Sequence, residues 1–298
     1  MGSTNCGKKS DGKIPTVTIL CGGSSPERQI SILSGKNVQK ILKDKGVETE
    51  LFIWSGDFEE LKKVHSPCFI ALHGSPGEDG SVQRYFEERG IKYTGSDPSA
   101  CELSFDKIST KEFFLKNDLK TPKWWKKCDK VPCLLKPRFG GSSLGVKLFF
   151  TKRECSNVKM SEEIFFEEYV DGREISISVV KIAGKVKVLP ILEIIPSNTF
   201  YDYESKYKKG GAKLIAPAPL CKDEVESISN MARKIYHRLG LRDFARIDGI
   251  ISKNGVYFLE VNSIPGMTVF SDLPASAKAG RVFMGEIILN ALASSLRR

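Results

Sequence analysis

Short apolar runs and amphipathic stretches alternate along the first third of the chain. Residues 16–21 (TVTILC), 48–54 and 68–72 have the apolar, β-branched character of short buried strands. Apolar side chains recur at helical spacing over 26–45 and 81–89. Strands that alternate with helices are typical of an open α/β sheet, so the pattern predicts a small α/β domain in this part of the chain.

The rest of the chain is richer in strands. Predicted strands cover residues 131–136, 163–169, 173–180, 186–195, 244–251 and 256–261. Helices are predicted over 104–117, 224–239 and 282–296, and loop structure over 151–163. The length and this order of elements indicate a mixed α/β and α+β chain of about two domains.

The last two predicted strands are expected to form a hairpin, because the turn sequence Asn254-Gly255 lies between them. The length of the turn decides which side chains share a face of the hairpin. A two-residue loop at Asn254-Gly255 pairs Asp248 with Val261 and separates the carboxylates of the two strands. A three-residue loop over 253–255, with a left-handed glycine, pairs Asp248 with Glu260, and this is the register that we expect.

In that register the hairpin gathers oxygen ligands on one face. Arg246 pairs with Asn262, so the carboxylates of Asp248 and Glu260 lie beside an amide oxygen. Hard cations such as Mg²⁺ prefer these ligands, and the arginine suits the phosphate that usually accompanies the ion. An ordinary cross-strand salt bridge on a solvated face is the alternative interpretation.

Two loops at strand ends in the first domain carry candidate chemistry. The segment 22–25 (GGSS) follows a strand and opens a helix, so its backbone N–H groups can face an anion, although it is not a GxGxxG fingerprint. Glu27 lies in the first turn of that helix, where the dipole alone favours a carboxylate. His73 begins a glycine-rich loop with Glu78 and Asp79 at a ligand-binding sheet edge; simple exposure is the alternative for this histidine.

A second glycine-rich loop follows the strand that ends at Lys136. Its sequence, PRFGGSSLG over 137–145, can fold backbone amides around phosphate, with Lys136 as a point charge at its base. The loop does not match GxxxxGK[ST], so it is not a P-loop, and a flexible hairpin loop is the alternative. Lys107 and Lys111 lie one turn apart on the helix predicted before it.

Composition narrows the class of protein. The 298 residues carry a formal charge of +10, but the lysines are dispersed, so we expect no nucleic-acid partner. No apolar run is long enough to span a membrane, and the polar residues 1–13 are expected to be disordered. Eight scattered cysteines without a CxxC pair, beside three histidines, indicate reduced thiols in a cytoplasmic protein rather than a structural zinc site.

Eight stretches stand out along the chain: in order, they are GGSSPERQISILSG, HGSPGEDG, YTGSD with FDK, KPRFGGSSLGV, EEYVDGRE, FYDYESKY, ARIDG and FLEVNSIPGMTVFS. Taken together, they resemble the D-alanine–D-alanine ligase family of the ATP-grasp superfamily. The resemblance runs from residue 22 to about residue 280 and implies an ATP-grasp fold with an N-terminal open α/β domain. It divides the chain into a substrate domain over 14–96, a central subdomain over 97–172, and a C-terminal subdomain over 173–298 with the metal site and a lid loop.

The resemblance implies which residues hold the nucleotide and its metal ions. The ATP phosphates are expected at Lys107, Lys136, Ser142, Ser143 and Lys206. Adenine and ribose are expected at Glu167, Glu168, Tyr169, Val170, Glu174 and Phe200. Two Mg²⁺ ions, for which Mn²⁺ substitutes, are expected at Asp248, Glu260 and Asn262.

It also implies which residues bind the amino-acid substrates and act in catalysis. The expected catalytic residues are Glu27, Ser142, Tyr207, Arg246 and Gly266. The expected substrate-binding residues are Glu27, His73, Tyr207, Arg246, Gly266 and Ser271. In this scheme Glu27 holds the first amino group, the Gly266 N–H supports the oxyanion, and Tyr207 closes the site from the lid.

The implied activity is the ATP-dependent joining of two D-alanines through D-alanyl phosphate, for peptidoglycan precursors, by a cytoplasmic homodimer. Addition of D-serine or D-lactate is the alternative within the class, and Tyr207 favours an amine nucleophile. An ATP-binding protein with weak or no turnover is a further alternative, because the central subdomain is shorter than expected over 125–131 and 146–163.

Overall fold

The computed structural model describes residues 15–196 and 212–298, and the structural statements below concern those residues. The N-terminal sheet is parallel, in the order β2-β1-β3, with β1 (Val17–Gly22), β2 (Thr49–Trp54) and β3 (Cys68–Ile70). The strand β1 is buried along its whole length, as its uninterrupted apolar sequence predicts. The predicted open α/β sheet is confirmed.

Helices accompany this sheet. They are α1 (Arg28–Lys43), α2 (Ser81–Glu88) and a 3-10 helix (Phe58–Lys63). The helix α1 packs on β1 at Gly35, where an added Cβ would lie 2.7 Å from the Cβ of Cys21. Glycine therefore allows the helix and the strand to approach closely, which fixes the start of α1 over the end of β1.

The helix predicted over 104–117 is two helices, α3 (Pro98–Phe105) and α4 (Lys107–Lys116). Asp106 separates them, because its backbone is extended and its side chain accepts a hydrogen bond from the Ile108 N–H at 3.0 Å, which caps α4. The same carboxylate pairs with Arg138 at 2.6 Å. The break in the predicted helix thus ties the start of α4 to the second glycine-rich loop.

A second sheet is antiparallel, in the order β4-β7-β5-β6. Its strands are β4 (Trp124–Trp125), β5 (Cys133–Pro137), β6 (Lys147–Phe149) and β7 (Ile164–Glu168). The prediction of loop structure over 151–163 is wrong at its start, where α5 (Lys152–Ser156) forms. A capping box between Thr151 and Glu154 stabilises this short helix.

The third sheet has six antiparallel strands, in the order β11-β10-β8-β12-β13, and β9 also pairs with β8. The strands are β8 (Arg173–Ile182), β9 (Lys185–Val188), β10 (Leu192–Pro196), β11 (Ala212–Ile215), β12 (Phe244–Ser252) and β13 (Gly255–Asn262). The strand predicted over 186–195 is two strands, β9 and β10. Pro190 lies between them, and proline cannot donate a ladder hydrogen bond.

Three helices of the C-terminal part pack on the third sheet. They are α6 (Lys222–Arg238), α7 (Asp272–Ala279), which the sequence pattern did not predict, and α8 (Met284–Ser295). The helix α8 contacts both α1 and β8, and one buried cluster includes Val17, Phe244 and Leu292. This shared core fixes the two sheets relative to each other. Among the described helices, none is long and apolar enough to cross a bilayer.

Candidate active site

The β12–β13 hairpin has the predicted pairing. Asp248 lies opposite Glu260, and Arg246 lies opposite Asn262. Directly opposed residues of antiparallel strands share a face, so both carboxylates, the amide and the guanidinium are neighbours. The expected set of oxygen ligands therefore forms on one ribbon.

The turn that produces this pairing differs from the prediction. Ser252 pairs with Gly255, so the loop contains two residues, 253 and 254, and not three. The register shifts next to Asp248, where a β-bulge leaves Leu259 as the extra residue of β13. The prediction of a three-residue loop is wrong, because the extra residue lies in the bulge and not in the turn. Gly255 has the predicted positive φ, +107°.

We call the face formed by Arg246, Asp248, Glu260 and Asn262 the metal face, after the sequence prediction. Several of its neighbours hold the Asp248 carboxylate in place. It accepts hydrogen bonds from Arg246 Nε and Nη2, both at 2.9 Å, from Ser176 Oγ at 3.1 Å and from Asn262 Nδ2 at 3.2 Å. Burial raises the pKa of Asp248, and the negative charge of Glu260 adds to this rise, while Arg246 opposes it. Two neighbouring carboxylates with one arginine form an environment that gains stability from a further positive charge.

A cavity of about 480 Å³ lies between the second and third sheets, beside the metal face. Predicted nucleotide residues that line it are Lys107, Lys136, Ser143, Glu167, Glu168, Tyr169, Val170 and Glu174. Apolar side chains, among them Leu134, Ile194 and Ile250, line the same space. The cavity thus offers apolar walls for a flat ring and converging charges for a polar tail.

Two charged side chains of the cavity wall, Lys136 and Glu167, meet the buried Lys111. The carboxylate of Glu167, 1% exposed, lies 2.5 Å from Lys111 Nζ and 2.5 Å from Lys136 Nζ. Burial opposes ionisation of Glu167, but the two ammonium groups outweigh it and hold the pKa below its ordinary range. Burial lowers the pKa of Lys111 to about 8. Lys136 is also buried, but the negative charge of Glu167 raises its pKa above the ordinary value. Glu167 therefore positions Lys136 in the cavity wall and balances the charge of the buried Lys111.

The Lys111 ammonium makes stability depend on pH. Its folded-state pKa of about 8 is below the ordinary value of 10.5, so the unfolded chain binds more protons between these values and stability rises with pH there. We expect the wild type to gain up to about 3 kcal/mol in unfolding free energy over this range, relative to Lys111→Met. Urea unfolding of both proteins at several pH values measures this; a constant difference between them would contradict the prediction.

The second glycine-rich loop connects the cavity with the N-terminal sheet. Lys107 Nζ donates a hydrogen bond to the Gly140 carbonyl, and Ser142 Oγ donates one to the Glu27 carboxylate. Ser142 and Ser143 have φ of +55° and +56°, a left-handed conformation that non-glycine residues seldom adopt. Such strain is typical of functional loops, and here it turns the Ser142 hydroxyl towards Glu27.

The predicted histidine lies in a network that joins the first sheet to the loop after β13. His73 is buried, its Nε2 is 3.2 Å from Ser34 Oγ, and its Nδ1 is 4.0 Å from a Glu78 carboxylate oxygen. Ser34 Oγ in turn accepts a hydrogen bond from the Met267 N–H at 3.2 Å. His73 is therefore fixed in place and not simply exposed.

The loop after β13 also holds the predicted Gly266 and Ser271. A Cβ added at Gly266 would lie 2.7 Å from Ser271 Oγ, so glycine is required for this contact. Ser271 Oγ accepts a hydrogen bond from the Thr268 N–H at 3.2 Å. The predicted residues Phe200, Lys206 and Tyr207 lie outside the described residues.

Sequence reasoning missed residues that support the predicted ones. Lys111 had a signal, because it lies one turn from Lys107 on the same helix. No pattern in the sequence marks the supporting roles of Ser34, Ser176 and Asp272. Asp272 lies 3.6 Å from Arg246 Nε and so shares this guanidinium with Asp248, an arrangement that depends on α7.

Solved ligase structures have the same fold. One from Bacillus anthracis, described as D-alanine–D-alanine ligase complexed with ATP, matches with a TM-score of 0.78 at 27% sequence identity, over 96% of this chain and 98% of that chain. The VanG D-Ala:D-Ser ligase from Enterococcus faecalis, 24% identical, has a TM-score of 0.79 over 95% and 99% of the two chains and shows likeness of fold alone. The chain is an ATP-grasp ligase.

The sequence comparisons narrow this class. The family model for the D-ala D-ala ligase C-terminus matches residues 103–292. A D-alanine–D-alanine ligase from Thermotoga sp. (strain RQ2) is 39% identical over 289 residues, which cover 91% of this chain and 94% of the relative. The chain belongs to the D-alanine–D-alanine ligase family, as the motifs predicted.

Proposed function

We propose that this chain joins two D-alanine molecules, at the expense of ATP, through a D-alanyl phosphate intermediate, and so supplies a peptidoglycan precursor. The observation that carries this proposal is the hydrogen bond between Ser142 and Glu27. It joins the loop at the nucleotide cavity to Glu27, the N-cap residue of α1, in the N-terminal part of the chain. The phosphoryl donor and its acceptor can therefore meet at one place.

The residues that line the cavity suit ATP. Lys107 and Lys136 are positioned to hold phosphates, and backbone groups near Glu168, Tyr169 and Val170 are available to the base. The apolar walls accommodate the adenine ring. Arg246, beside the phosphoryl acceptor, can neutralise charge as it shifts between oxygens during transfer.

The metal face suits Mg²⁺ by the chemistry of its donors. Asp248, Glu260 and Asn262 supply hard oxygen ligands, and the carboxylates of Asp248 and Glu260 lie close enough for the charge of Glu260 to raise the pKa of Asp248. We propose that these three residues hold two Mg²⁺ ions, or Mn²⁺ in their place. When bound, the ions neutralise phosphate charge and orient the transferred group.

The chain's own side chains account for substrate binding. Glu27 is placed to hold the ammonium group of the first D-alanine, whose carboxylate attacks the γ-phosphorus and releases ADP. The amine of the second D-alanine, once deprotonated, attacks the acyl phosphate carbonyl and phosphate leaves. In this proposal the Gly266 N–H stabilises the oxyanion, Ser271 binds the second carboxylate, and His73 supports the first substrate.

A comparison of second substrates tests the proposal. Purified protein with ATP, Mg²⁺ and D-alanine should release phosphate and form D-alanyl-D-alanine, detected by mass. Release with D-serine or D-lactate only in the presence of one D-alanine would assign the chain to a variant specificity. ATP binding without turnover of any D-amino acid would contradict the proposed activity.

Replacing Glu27 tests its role as the amino-group anchor. We expect Glu27→Gln to raise the KM for D-alanine by about 10- to 100-fold, because a charge-assisted hydrogen bond is lost, with little change in the KM for ATP. Steady-state kinetics measures both constants, and Glu50→Gln, an exposed change on β2, is the matched control. Equal increases in both KM values would argue against this role.

The proposal includes the three-part division at residues 96 and 172, a cytoplasmic location and a homodimer. The organisation of the sheets supports the division, since each part contains its own sheet. Light scattering of the pure protein measures the oligomeric state, and a mass of one chain would exclude the dimer.

A further inference from the structure

Three cysteine side chains meet on the face of the second sheet that is turned away from the cavity. Cys133 lies on β5, Cys155 on α5, and Cys128 in the loop before β5. The Sγ atoms of Cys128 and Cys133 are 3.7 Å apart, and those of Cys133 and Cys155 are 3.6 Å apart. All three sulfurs lie within 4.8 Å of one another. These cysteines are scattered in the sequence and are free thiols, as expected, but the fold brings them together.

The distances between these sulfurs suit a single metal ion. A tetrahedral ion with metal–sulfur bonds of about 2.3 Å holds its thiolates roughly 3.8 Å apart. A disulfide requires about 2.05 Å. In a [4Fe–4S] cluster each cysteine binds a different iron atom, and in a [2Fe–2S] cluster three cysteines cannot all bind the same one, so at least two of the sulfurs lie farther apart. The observed 3.6 and 3.7 Å agree with the first arrangement.

The surroundings of the cysteines give such an ion a structural purpose. The apolar core on this face is small: its buried members are Cys133, Leu135, Cys155 and Phe166. The helix α5 has only five residues, and small cores commonly need a disulfide or a metal to hold short elements together. An ion bound by all three cysteines would tie a loop, a strand and a helix to one point.

We propose that Cys128, Cys133 and Cys155 bind one thiophilic divalent ion, such as Zn²⁺, with water as the fourth ligand on the side of the half-exposed Cys128. Three thiolates and a divalent ion leave one negative charge. Lys127 is adjacent to Cys128 in the sequence and favours that charge, whereas Lys126 and Lys130 pair with Glu162 and Glu168. The ion site serves the stability of the second sheet and is separate from the proposed Mg²⁺ site.

Binding of the ion is an acid–base reaction without electron transfer. A thiol binds the ion as a thiolate. As each sulfur–metal bond forms, its S–H proton passes to the buffer, up to three protons for each ion.

A Co²⁺ titration of the full chain, purified with reductant and chelator, tests the proposal. We expect one Co²⁺ per chain with thiolate-to-cobalt charge-transfer absorption, which ions bound by carboxylates lack, and displacement by Zn²⁺. Cys128→Ser should weaken Co²⁺ binding by at least about 100-fold, because a direct ligand is lost. Cys101→Ser, a buried cysteine outside the cluster, is the matched control and should bind like the wild type.

Thermal unfolding supplies a second readout. Saturating Zn²⁺ should raise the midpoint of the wild type by about 5 °C or more, and that of Cys128→Ser by much less. Absence of charge-transfer absorption in the reduced wild type, or equal absorption in Cys128→Ser, would overturn the proposal. A disulfide among the three cysteines in non-reduced, alkylated protein from fresh cells would overturn it as well.

Discussion

Asp248→Asn is expected to lower kcat by about 10³-fold or more, because it removes a charged ligand of the proposed metal face where charge develops during phosphoryl transfer. The variant should remain folded. Its asparagine is isosteric, the repulsion with Glu260 is relieved, and Arg246 keeps Asp272 at 3.6 Å. Phosphate release at increasing Mg²⁺ concentration measures the loss and should show a weaker apparent affinity for the ion.

The control for this variant is Asp44→Asn, an exposed aspartate at the end of α1. It makes the same chemical change far from the metal face and should keep wild-type activity. If Asp248→Asn retained more than about a tenth of the wild-type kcat while folded, the aspartate would not be a ligand that the reaction requires.

Glu167→Gln is expected to lower the free energy of unfolding by about 3–5 kcal/mol, because it leaves two buried ammonium groups without their carboxylate. Glutamine keeps the shape of the side chain but carries no charge to balance Lys111 and Lys136, each 2.5 Å away. Urea unfolding at neutral pH measures the change. The KM for ATP should rise as well, since Lys136 loses the group that positions it.

Glu162→Gln is the matched control for this second variant. Glu162 pairs with Lys126 at 3.0 Å, but both side chains are about four-fifths exposed, at 80% and 82%. Exposed ion pairs contribute about 0–1 kcal/mol, so this change should be nearly neutral. A Glu167→Gln variant as stable as Glu162→Gln would mean that the buried lysines do not depend on the carboxylate.

The metal face could be predicted from the sequence because it depends on strand pairing. Alternating apolar residues and a glycine turn placed Asp248 and Glu260 on one ribbon, and the pairing is confirmed. The turn length was not predictable, since no residue type marks Leu259 as the extra residue of a bulge. The prediction made the turn one residue too long and left the bulge out of the strand. These two errors cancel, so the predicted pairing of Asp248 with Glu260 is still correct.

Other parts of the fold depend on interactions that sequence patterns do not contain. Asp106 had the residue type of a helix cap, but the helical spacing on both sides hid the break. The Glu167 carboxylate binds lysines from α4 and β5, which the chain brings together only after folding. The cysteine cluster was missed for the same reason, because its members come from three elements without a CxxC spacing.

The β-bulge has a consequence for what the cavity can accept. Regular strands point consecutive side chains to opposite sides, yet Leu259 and Glu260, adjacent in sequence, both border the cavity. On β12, Ile250 and Asp248 also border the cavity. They are two residues apart, so the regular alternation of a strand places them on the same face. The surface that the hairpin presents to the cavity thus changes from apolar at Leu259 to negatively charged at Glu260, the next residue. A ligand with a flat organic end and a polyphosphate end can lie along one ribbon without a gap between the two halves.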